Sequence, residues 1–539
     1  MALFFTPEQR IKGVDNFHQT VGIKGLTRRD FMKGMIAGGA ALPIGAAMYF
    51  GYQKLQGNPV KVGLIGAGDE GGVLVGEHNP DYLQFVAVAD IRPSNLNRIF
   101  KGEPTGPRKG FDHVYGSQAH SQVKVYQDYH ELLDQKDIEA VVIALPLFLH
   151  APVAIEAMKK GKHVLCEKLM AWNINQCKEM IHAADENDRI LAIGHQRHYS
   201  MLYAHASEVI KSGELGDIKH IRALWHRNNS WPKLDSNGKE MVDASGQPLL
   251  RDGWRPDILE EDRQVLESKI RQLGYENMEE LVRWRLFNRT GGGLMAELGS
   301  HQLDACSIFL GKVHPLAVSG VGGKFFYHDN REVDDNVFVT FEFPGKNYFT
   351  DETRKQIKDK NDIVVVTYSS VSTNSFEAYG ECVMGSRATM IVEKEESALL
   401  FPERNPNGAA AKAATSVTVS AGGGGKPAVE SSSSTGQVDV ANAQAKGADS
   451  LGKGPISRGY REEMEHFAYC IKMWNEGKSK EDRPLPRCHG RVAMADAIIA
   501  LTSNLAMKRH QRIEFNEKWF DAAAADVPDP EMKPKIITT

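Results

Sequence analysis

The sequence predicts an α/β protein with two folded domains, a doubly wound N-terminal domain and an α+β C-terminal domain with a large, mostly antiparallel sheet. Three observations predict this class. From residue 59 to 194, apolar runs alternate with helix-compatible stretches, as in a parallel sheet covered on both faces. The first of these runs leads into a glycine-rich turn. From residue 195 onward, several strand-like runs follow one another with few helices between them.

The glycine-rich turn indicates a dinucleotide-binding βαβ unit, which begins a Rossmann domain. An apolar run over 60–65 leads into Gly66-Ala67-Gly68-Asp69-Glu70-Gly71, and a second run ends in Asp90, about 20 residues further on. In this motif the first glycine allows the tight turn, the second lets the backbone approach a pyrophosphate, and the third lets helix and strand lie close together. The helix N-terminus adds N–H groups for the phosphates.

Asp90 bears on which dinucleotide binds. A carboxylate at this place accepts hydrogen bonds from the adenosine ribose and repels a 2′-phosphate, which favours NAD over NADP. Arg92 lies two residues later and could neutralise a 2′-phosphate, so the sequence leaves NADP open.

The remaining elements follow from apolar periodicity. In the N-terminal domain we expect a strand at 85–89, helix 129–134, strand 140–145, helix 151–159, strand 163–166, helix 174–187 and strand 190–194. In the C-terminal domain we expect strands at 218–226, 317–321, 336–343, 363–368, 377–384 and 388–392. The expected helices there are 259–274, one from the glycine turn 291–293 to 310, 460–476 and 490–508.

Composition sets the expected boundaries. We expect a signal or N-terminal segment at 1–58, the dinucleotide-binding domain at 59–194, the second domain at 195–403 and 457–520, and a tail at 521–539. Residues 404–456 are rich in Ala, Gly and Ser and lack aromatic residues. Such a segment has little apolar surface to bury, so we expect a disordered surface insert there.

The N-terminus carries an export pattern. Arg28 and Arg29 precede a weakly apolar run at 34–51, which is typical of a twin-arginine signal for exporting a protein that has already folded. We therefore expect a bacterial periplasmic protein that engages the twin-arginine export machinery. An uncleaved segment that tethers the protein to the membrane and a buried N-terminal helix are the alternatives.

The composition of the whole chain argues against several classes of protein. Its 539 residues carry a formal net charge of −4, so no basic surplus exists for binding nucleic acid. No internal stretch reaches about 18 uninterrupted apolar residues, which argues against a polytopic membrane protein. The six cysteines show no paired spacing, so we expect buried thiols, without a disulfide framework or a metal site.

Two predicted strand ends carry candidate site residues. Pro146 and His150 follow one strand, and Glu167 and Lys168 follow the next, at the edge where open α/β sheets bind ligands. A lysine there can share or move a substrate hydroxyl proton, and Glu167 can orient it. The simpler alternatives are a helix cap for His150 and a solvated pair for Glu167 and Lys168. The expected cofactor contacts are Gly66, Gly68, Asp69, Glu70, Gly71, Asp90, Arg92, Pro146, His150, Glu167 and Lys168.

Glu297, His301 and Asp304 have the spacing that places side chains on one face of a helix. An imidazole flanked by carboxylates can take a proton near neutral pH, so we expect His301 to act as a general base. The same residue types can ligate a metal, but no second His or Cys cluster supports that hypothesis. A polar helix face in solvent is the other alternative.

A scatter of aromatic and basic residues completes the expected pocket. Sugars are bound by aromatic faces and by fork-shaped donors, although each such residue alone is more often a packing or surface residue. At the seam of the two domains a polyol pocket is expected from His195, Gln196, Arg197, Trp225, Arg227, Trp231, Trp284 and Arg285.

With these motifs the chain resembles the glucose-fructose oxidoreductase, inositol dehydrogenase and MocA (Gfo/Idh/MocA) family of bacterial oxidoreductases, and most of all its twin-arginine-exported members. The resemblance implies that Lys168 matches the lysine of a Glu-Lys-Pro motif, His301 the catalytic histidine and Glu297 a substrate-positioning aspartate. It also implies that Asp304 and Arg197 belong to the substrate site. Many members form homodimers or homotetramers through the open face of the second sheet.

Two departures from the family pattern affect the expected substrate more than the expected reaction. The resemblance covers about 59–400 and 456–515, leaving out the signal and the insert. Leu169 stands where the family has proline, which loosens the constraint on Lys168. Glu297 is one methylene longer than aspartate, so the depth of the pocket differs.

Three functions follow as hypotheses. The first is a NAD(P)-dependent dehydrogenase that moves a hydride between a carbinol (CH–OH) carbon of a sugar or polyol and the nicotinamide, with Lys168 and His301 handling the hydroxyl proton. The second is a redox-neutral glycosidase or lyase with tightly bound NAD, because an exported protein meets no free NAD pool. The third is a non-catalytic protein that binds a nucleotide or a carbohydrate.

Overall fold

The computed structural model describes residues 5–23, 46–47, 49–243, 246–351, 353–404, 416–421, 427–432, 458–477 and 482–530. The predicted export pattern at Arg28 and Arg29 lies outside these residues, as do most of the apolar run after it and the end of the predicted tail. In the part of the chain so described, no helix is both long enough and apolar enough to cross a membrane. The described chain begins with α1 (Pro7–Ile23).

The N-terminal domain is built on a six-stranded parallel sheet. Its strands are β1 (Val60–Ile65), β2 (Leu83–Ala89), β3 (Lys124–Tyr126), β4 (Ala140–Ile143), β5 (His163–Glu167) and β6 (Leu191–Gly194). The spatial order is β3-β2-β1-β4-β5-β6, which is the doubly wound order. The direction of winding reverses between β1 and β4, so a ligand crevice is expected at their carboxyl ends.

Helices cover both faces of this sheet, which explains why the residues of β4 and β5 are all buried. The helices are α2 (Asp69–Glu77), α3 (Pro93–Lys101), α4 (Phe111–Tyr115), α5 (Ala119–Gln122), α6 (Tyr129–Leu133), α7 (His150–Lys159) and α8 (Ile174–Glu186).

The C-terminal domain contains an eight-stranded sheet. The strands of the chain from here on are β7 (Ile218–His226), β8 (Ala317–Gly323), β9 (Asn336–Pro344), β10 (Ile363–Val371), β11 (Tyr379–Gly385), β12 (Ala388–Glu393), β13 (Ser397–Pro402), β14 (Ser416–Ala421), β15 (Pro427–Ser432) and β16 (Ile513–Glu514). The order in the large sheet is β13-β12-β11-β7-β10-β9-β8-β16. All its neighbours pair antiparallel except β7 and β10, so the predicted fold class is confirmed.

The helices in the second half of the chain contribute to the cores of both domains. They are α9 (Met201–Lys211), α10 (Glu260–Leu266), α11 (Met278–Val282), α12 (Ser300–Phe309), α13 (Tyr460–Asn475) and α14 (Gly490–Arg509). The apolar face of α13, with Met464 and Phe467, belongs to the core of the N-terminal domain, although the sequence assigned this stretch to the second domain. The long α14 contributes to the cores of both domains, with Ala497 in one and Met507 in the other.

Two parts of the predicted N-terminal segment lie on the folded domains. Phe17 of α1 is 1% exposed in the core of the C-terminal domain, and Asn16 Nδ2 donates to the carbonyl of Leu400 at 2.9 Å. Phe50 and Tyr52 are buried against the N-terminal domain. From the sequence, a buried N-terminal helix was only an alternative to a signal segment.

Several elements differ from expectation. Strands β3, β13 and β16 and the short helices between β2 and β3 were not predicted, because their apolar runs are short. In the predicted insert, β14 and β15 pair antiparallel, although no regular structure was expected there. The rest of that insert beyond residue 404 lies outside the described residues.

Candidate active site

A cleft of about 1040 Å³ lies between the two domains, at the carboxyl ends of β1, β2, β4 and β5. Its inner wall holds the glycine turn, Asp90 and the loops after β4 and β5. Its outer wall comes from the C-terminal domain, chiefly residues 253–285 together with Glu297. The volume and the place in the fold suit a dinucleotide with a small substrate beside it.

The glycine turn has the geometry that a pyrophosphate needs. Gly66 has φ of +99°, and a Cβ there would lie 2.3 Å from the carbonyl oxygen of Ala144. A Cβ on Gly71 would lie 2.2 Å from the oxygen of Gly66. Gly68 is different, since a Cβ there would meet no atom within 4 Å. The turn is therefore closed toward the sheet and open at Gly68, beside the N-terminus of α2.

Asp90 ends β2 in the cleft, as the sequence predicts. Its carboxylate accepts hydrogen bonds from the N–H of Ala67 and of Arg92, each at 2.8 Å, and from Asn95 Nδ2 at 3.0 Å. Burial raises the pKa of Asp90, and these hydrogen bonds oppose that effect. A carboxylate has about four lone-pair sites, so one acceptor place remains for a ribose hydroxyl.

The acids of the glycine turn face in different directions. Asp69 is exposed and pairs with Arg98 at 2.8 Å. Glu70 points inward, where burial raises its pKa and the charge of Lys168 opposes the rise. At the start of α2, Asp69 therefore presents its carboxylate to solvent, whereas Glu70 directs its carboxyl group inward.

His150 ties together the loops after β4 and β5. It is 2% exposed and is the first residue of α7. Its Nδ1 lies 2.8 Å from the carbonyl oxygen of Leu169, and its Nε2 lies 2.9 Å from that of Leu145. Pro146 forms the adjoining wall of the cleft. Because each ring nitrogen lies close to a backbone carbonyl oxygen, His150 connects this wall of the cleft to the loop after β5 that carries Lys168.

Lys168 is anchored at the centre of the cleft. Its Nζ donates to the backbone oxygen of Glu297 at 2.9 Å. The carboxylate of Glu297 in turn accepts from Arg285 Nε at 2.7 Å. Burial alone would raise the pKa of Glu297, but the charges of Arg285 and Lys168 outweigh it and hold the pKa below its usual value. The group is therefore an ionised carboxylate between two cations. The peptide bond between Lys168 and Leu169 is cis.

Glu167 does not orient the Lys168 ammonium as the sequence suggested. Its Oε2 accepts from the backbone N–H of Lys168 at 3.1 Å, and its Oε1 is buried with no hydrogen-bond partner among the described residues. Burial, and then the neighbouring Glu70 carboxylate, raise the pKa of Glu167 well above its usual value. Glu167 therefore holds the backbone of Lys168 and not its ammonium group.

The predicted single polar face of Glu297, His301 and Asp304 falls on a helix that is not regular. Met295–Gly299 forms a turn of π-helix, and α12 begins after it. A π-turn contains an extra residue, which rotates the rest of the helix, and such turns are frequent at functional sites. Glu297 consequently lines the cleft, whereas His301 and Asp304 do not belong to that lining.

His301 lies behind Glu297, half-buried, with its ring 5.6 Å from that of Trp225. Burial, and then the charges of Lys168 and Arg197, lower the pKa of His301 well below its usual value. Its Nδ1 is buried and has no hydrogen-bond partner among the described residues. Burial and the two neighbouring cations therefore favour the neutral imidazole and weaken it as a base.

Arg197 and Asp304, both expected to bind substrate, are buried away from the cleft at 1% exposure each. Arg197 donates to Glu395 at 2.7 Å, to Glu381 at 2.9 Å and to the backbone oxygen of His301 at 2.6 Å. It holds the start of α12 in place. The expectation failed because a fork-shaped donor serves a buried carboxylate pair as well as it serves a sugar.

Asp304 also has an internal role. Its Oδ1 accepts from Lys312 Nζ at 2.6 Å and lies 2.9 Å from His198 Nε2. Lys312 also donates to Asp496 at 3.1 Å. Two groups in the described chain have ligand atoms close enough for a metal ion, namely His198, Cys488 and Asp496, and His195, Asp304 and Asp496. The ammonium of Lys312 already supplies positive charge to both carboxylates.

Only some of the remaining predicted pocket residues line the cleft. Trp284 and Arg285 line the cleft, with the guanidinium 4.3 Å from the centre of the indole ring. Trp225 stacks on Tyr379 at 4.5 Å, and Arg227 lies 5.0 Å over the ring of Trp254. Neither Trp225 nor Arg227 is among the residues that line the cleft. His195 and Gln196 are 1% exposed in the interior, and Trp231 is 65% exposed on the surface.

The outer wall of the cleft was not predicted from the sequence. Asp262 on α10 is completely buried and contacts Arg92, while Tyr275 lines the cleft at 2% exposure. The sequence predicted a charged helix here but gave no reason to place it over Asp90. An aspartate in a charged helix is usually solvated, so only the three-dimensional arrangement identifies Asp262.

Comparison with known proteins agrees with this architecture. Residues 60–195 match the model of an oxidoreductase family with an NAD-binding Rossmann fold, GFO_IDH_MocA, and residues 265–381 match the GFO/IDH/MocA C-terminal domain. The crystal structure of an inositol dehydrogenase homolog from Azotobacter vinelandii, complexed with NADH and myo-inositol, covers 85% of this chain and 98% of its own. Its TM-score is 0.56 at 14% sequence identity, so the likeness concerns the fold.

Two curated relatives share parts of the sequence. Inositol 2-dehydrogenase of Salmonella paratyphi B is 38% identical over 113 residues, which are 21% of this chain and 34% of that protein. The 2,7-anhydro-N-acetylneuraminate hydratase of Escherichia coli is 25% identical over 260 residues, 48% of this chain and 57% of that protein. The chain thus spans 57% or less of the length of these two relatives. Over these two domains the chain matches the Gfo/Idh/MocA family of oxidoreductases, with an NAD-binding Rossmann domain at 60–195.

Proposed function

We propose that the protein is an NAD-dependent oxidoreductase that acts on a carbinol (CH–OH) carbon of a sugar or polyol. The observation that carries this proposal is the placement of Lys168 in the same cleft as the glycine turn and Asp90. The names of the inositol dehydrogenase relatives support a polyol as the substrate class. When bound, NAD supplies the acceptor for the hydride of the substrate carbon.

The residues of the chain handle the substrate hydroxyl and its proton. Among the described residues, Lys168 Nζ makes one hydrogen bond, to Glu297, so two of its three N–H donors remain for a substrate hydroxyl. Glu297 and Arg285 fix the position of that ammonium. His301 is the candidate proton acceptor from the sequence; it lies outside the lining of the cleft, and its lowered pKa makes it a weak base. Trp284 supplies an apolar face on which a sugar ring can lie.

A second candidate is a redox-neutral glycosidase or lyase with tightly bound NAD. The hydratase relative favours it, because its name states a reaction class other than dehydrogenation. Both candidates use the same cleft, so the distinction lies in the substrate and in the final state of the nucleotide.

One titration separates the candidates. A panel of sugars, cyclitols and aryl glycosides is added to the purified protein with NAD, while the absorbance of reduced nicotinamide is followed. A lasting rise with a free sugar or cyclitol supports the dehydrogenase. Release of aglycone with no lasting rise supports the redox-neutral enzyme. Bound nucleotide without any reaction would overturn both and leave the non-catalytic binding protein.

We also propose that the protein is exported to the periplasm through the twin-arginine machinery. The motif at Arg28 and Arg29 supports this, and export in the folded state suits a protein that folds around a dinucleotide. Replacing both arginines by lysine should keep the protein in the cytoplasmic fraction. Unchanged fractionation would contradict export by this route, and recovery with membranes would favour the tethered alternative.

A homodimer or homotetramer is proposed on the open face of the C-terminal sheet. Val321 of β8 and Phe338 of β9 are directly paired and 56% and 45% exposed. Adjacent exposed apolar side chains on a sheet face are typical of a protein interface.

A further inference from the structure

The outer wall of the cleft is a small subdomain with its own core. Helices α10 and α11 and the chain between them bury Leu266, Ile270, Tyr275, Met278, Leu281 and Val282, packed against Ile91 and Phe148 of the N-terminal domain. The rings of Tyr275 and Phe148 meet edge to face at 5.5 Å. This wall closes over the end of the cleft that holds Asp90, where the adenosine of a dinucleotide is expected.

Asp262 joins this wall to the N-terminal domain. It is completely buried, and its Oδ1 accepts from the N–H of Ser94 at 3.0 Å. Its Oδ2 accepts from Ser94 Oγ at 2.7 Å and from Arg92 Nε at 2.9 Å, and Arg92 Nη2 lies 2.9 Å away. We call these contacts of Asp262 with Arg92 and Ser94 the clasp. A buried ion pair with every carboxylate oxygen hydrogen-bonded is costly to break.

The clasp changes what Arg92 can do. An arginine shortly after the ribose-binding acid is the usual partner of a 2′-phosphate. Here Asp262 takes the Nε and one Nη of Arg92 and neutralises its charge. A 2′-phosphate would then meet the carboxylate of Asp90 and a cation, Arg92, that is already paired with the buried Asp262. The electrostatics of the clasp therefore oppose NADP and leave NAD, which lacks that phosphate, unaffected.

The clasp should also affect how fast a bound dinucleotide is released. Asp262 joins the two walls near Asp90, so we expect release of the adenosine end of a bound dinucleotide to be easier when these walls separate. Opening of such a wall is a frequent limit on release of a bound ligand. Removing one partner of the clasp should therefore speed release without touching the hydroxyl-handling residues at Lys168.

We propose that Asp262 is a specificity-determining residue that selects NAD over NADP and slows the release of the bound dinucleotide. The inference rests on the proposed function only in so far as the cleft binds a dinucleotide. From the sequence, the selection of NAD over NADP depended only on Asp90 and Arg92 of the N-terminal domain. Asp262 would add a residue of the C-terminal domain to that selection.

The test uses the full-length protein and measures binding, so no substrate is required. NADH and NADPH affinities are measured by nicotinamide fluorescence, and the NADH dissociation rate by displacement with excess NAD. Wild-type protein should prefer NADH. Asp262→Asn should raise the affinity for NADPH relative to NADH about tenfold and speed NADH dissociation about tenfold, the effect of one charge-assisted hydrogen bond. Glu261→Gln is the control, because among the described residues Glu261 makes only an exposed contact to Asn97.

A second variant guards against misfolding of the first. Ser94→Ala removes one hydrogen bond of the clasp without leaving a charge unpaired, so it should speed NADH dissociation while the nucleotide preference stays. Correct folding is checked by circular dichroism. Variants that keep the wild-type preference and dissociation rate would overturn the inference alone. Wild-type protein that binds neither dinucleotide would overturn the inference together with the proposed function.

Discussion

Lys168 owes its position to contacts that reach across the domain boundary. The backbone oxygen of Glu297, from the C-terminal domain, holds its Nζ, and Glu167 holds its N–H from the N-terminal side. Glu297 is ionised because Arg285 and Lys168 flank it. A single flexible lysine therefore becomes a fixed donor, which is the condition under which proton transfer contributes to rate.

Replacing Lys168 should separate chemistry from binding. Lys168→Ala should lower kcat/KM on the best substrate about 100-fold or more, the usual contribution of a positioned acid or base. NADH affinity should change little, because the pyrophosphate and ribose contacts remain. Steady-state kinetics and fluorescence titration check both. Lys160→Ala, at an exposed pair with Asp134, is the matched control. Near-full turnover in Lys168→Ala would refute the proposed role.

Buried histidines make the fold sensitive to acid, and His163 gives the clearest case. It is 3% exposed at the start of β5, where its Nδ1 accepts from the N–H of Ile190 at 3.0 Å. Burial, and then the charge of Arg189, lower the pKa of His163 from 6.5 to about 3. The unfolded chain takes up a proton below pH 6.5 that the folded chain refuses. This histidine's contribution to stability is therefore complete above that pH and is lost as the pH falls.

His163→Asn should remove that sensitivity, since the amide oxygen can replace Nδ1 as acceptor. The free energy of unfolding of wild type relative to the variant should fall by about 3 kcal/mol between pH 7.5 and about 4.5. Urea denaturation at both pH values measures it. The same substitution at His113, which is exposed, serves as the control. A wild-type-to-variant difference that does not change with pH would contradict a neutral buried imidazole.

At the scale of elements, the π-turn decides the site. Met295–Gly299 contains Glu297, which lines the cleft, whereas His301 and Asp304 on the following helix are not among the lining residues. A regular helix would have put all three on one face. The spacing of polar residues therefore identified the segment that reaches the cleft but not the π-turn within it. No local sequence pattern indicates an extra residue in a helical turn.

Most of the fold could be predicted because its signals are local. The glycine turn, Asp90 and the apolar runs of β1, β4 and β5 are confirmed, since parallel strands buried on both faces are nearly all apolar. Long-range placement could not be predicted. The sequence does not tell that α13 packs on the N-terminal domain or that Asp262 reaches Arg92, because such contacts join residues more than a hundred positions apart.

The first helix should contribute to stability as part of the fold. Phe17 is buried at 1% exposure against the C-terminal domain, whereas Ile11 on the same helix is 55% exposed. Phe17→Ala should reduce the free energy of unfolding by about 3 kcal/mol, the usual effect of truncating a buried phenylalanine. Ile11→Ala should leave it within about 0.5 kcal/mol. Equal effects of the two substitutions in urea denaturation would mean that α1 does not pack in this way.

At the scale of the molecule, the cleft is a product of two domains. The N-terminal domain supplies the glycine turn, Asp90 and Lys168, and the C-terminal domain supplies Glu297 and the wall that carries Asp262. Neither domain alone holds a complete site. The shared helix α14, with side chains in both cores, keeps the two halves in a fixed relation.

Assembly should depend on the open sheet face. If Val321 and Phe338 lie in an interface, wild-type protein should be a dimer or tetramer by light scattering, and Phe338→Lys should shift it toward the monomer, because an interface disfavours an unpaired buried charge. Val125→Lys, at an exposed position of β3 in the other domain, is the control. A wild-type monomer, or an unchanged oligomer in Phe338→Lys, would refute this face as the interface.

The central claim is that the cleft moves a hydride from a carbinol carbon to NAD. The most direct test follows deuterium. The best substrate of the panel is prepared with deuterium on its carbinol carbon and incubated with the protein and NAD, and the mass of the recovered nucleotide is measured. We predict reduced nucleotide that carries the deuterium, with the label lost in Lys168→Ala. Conversion of the substrate without any deuterium in the recovered nucleotide would contradict net hydride transfer from the substrate to NAD.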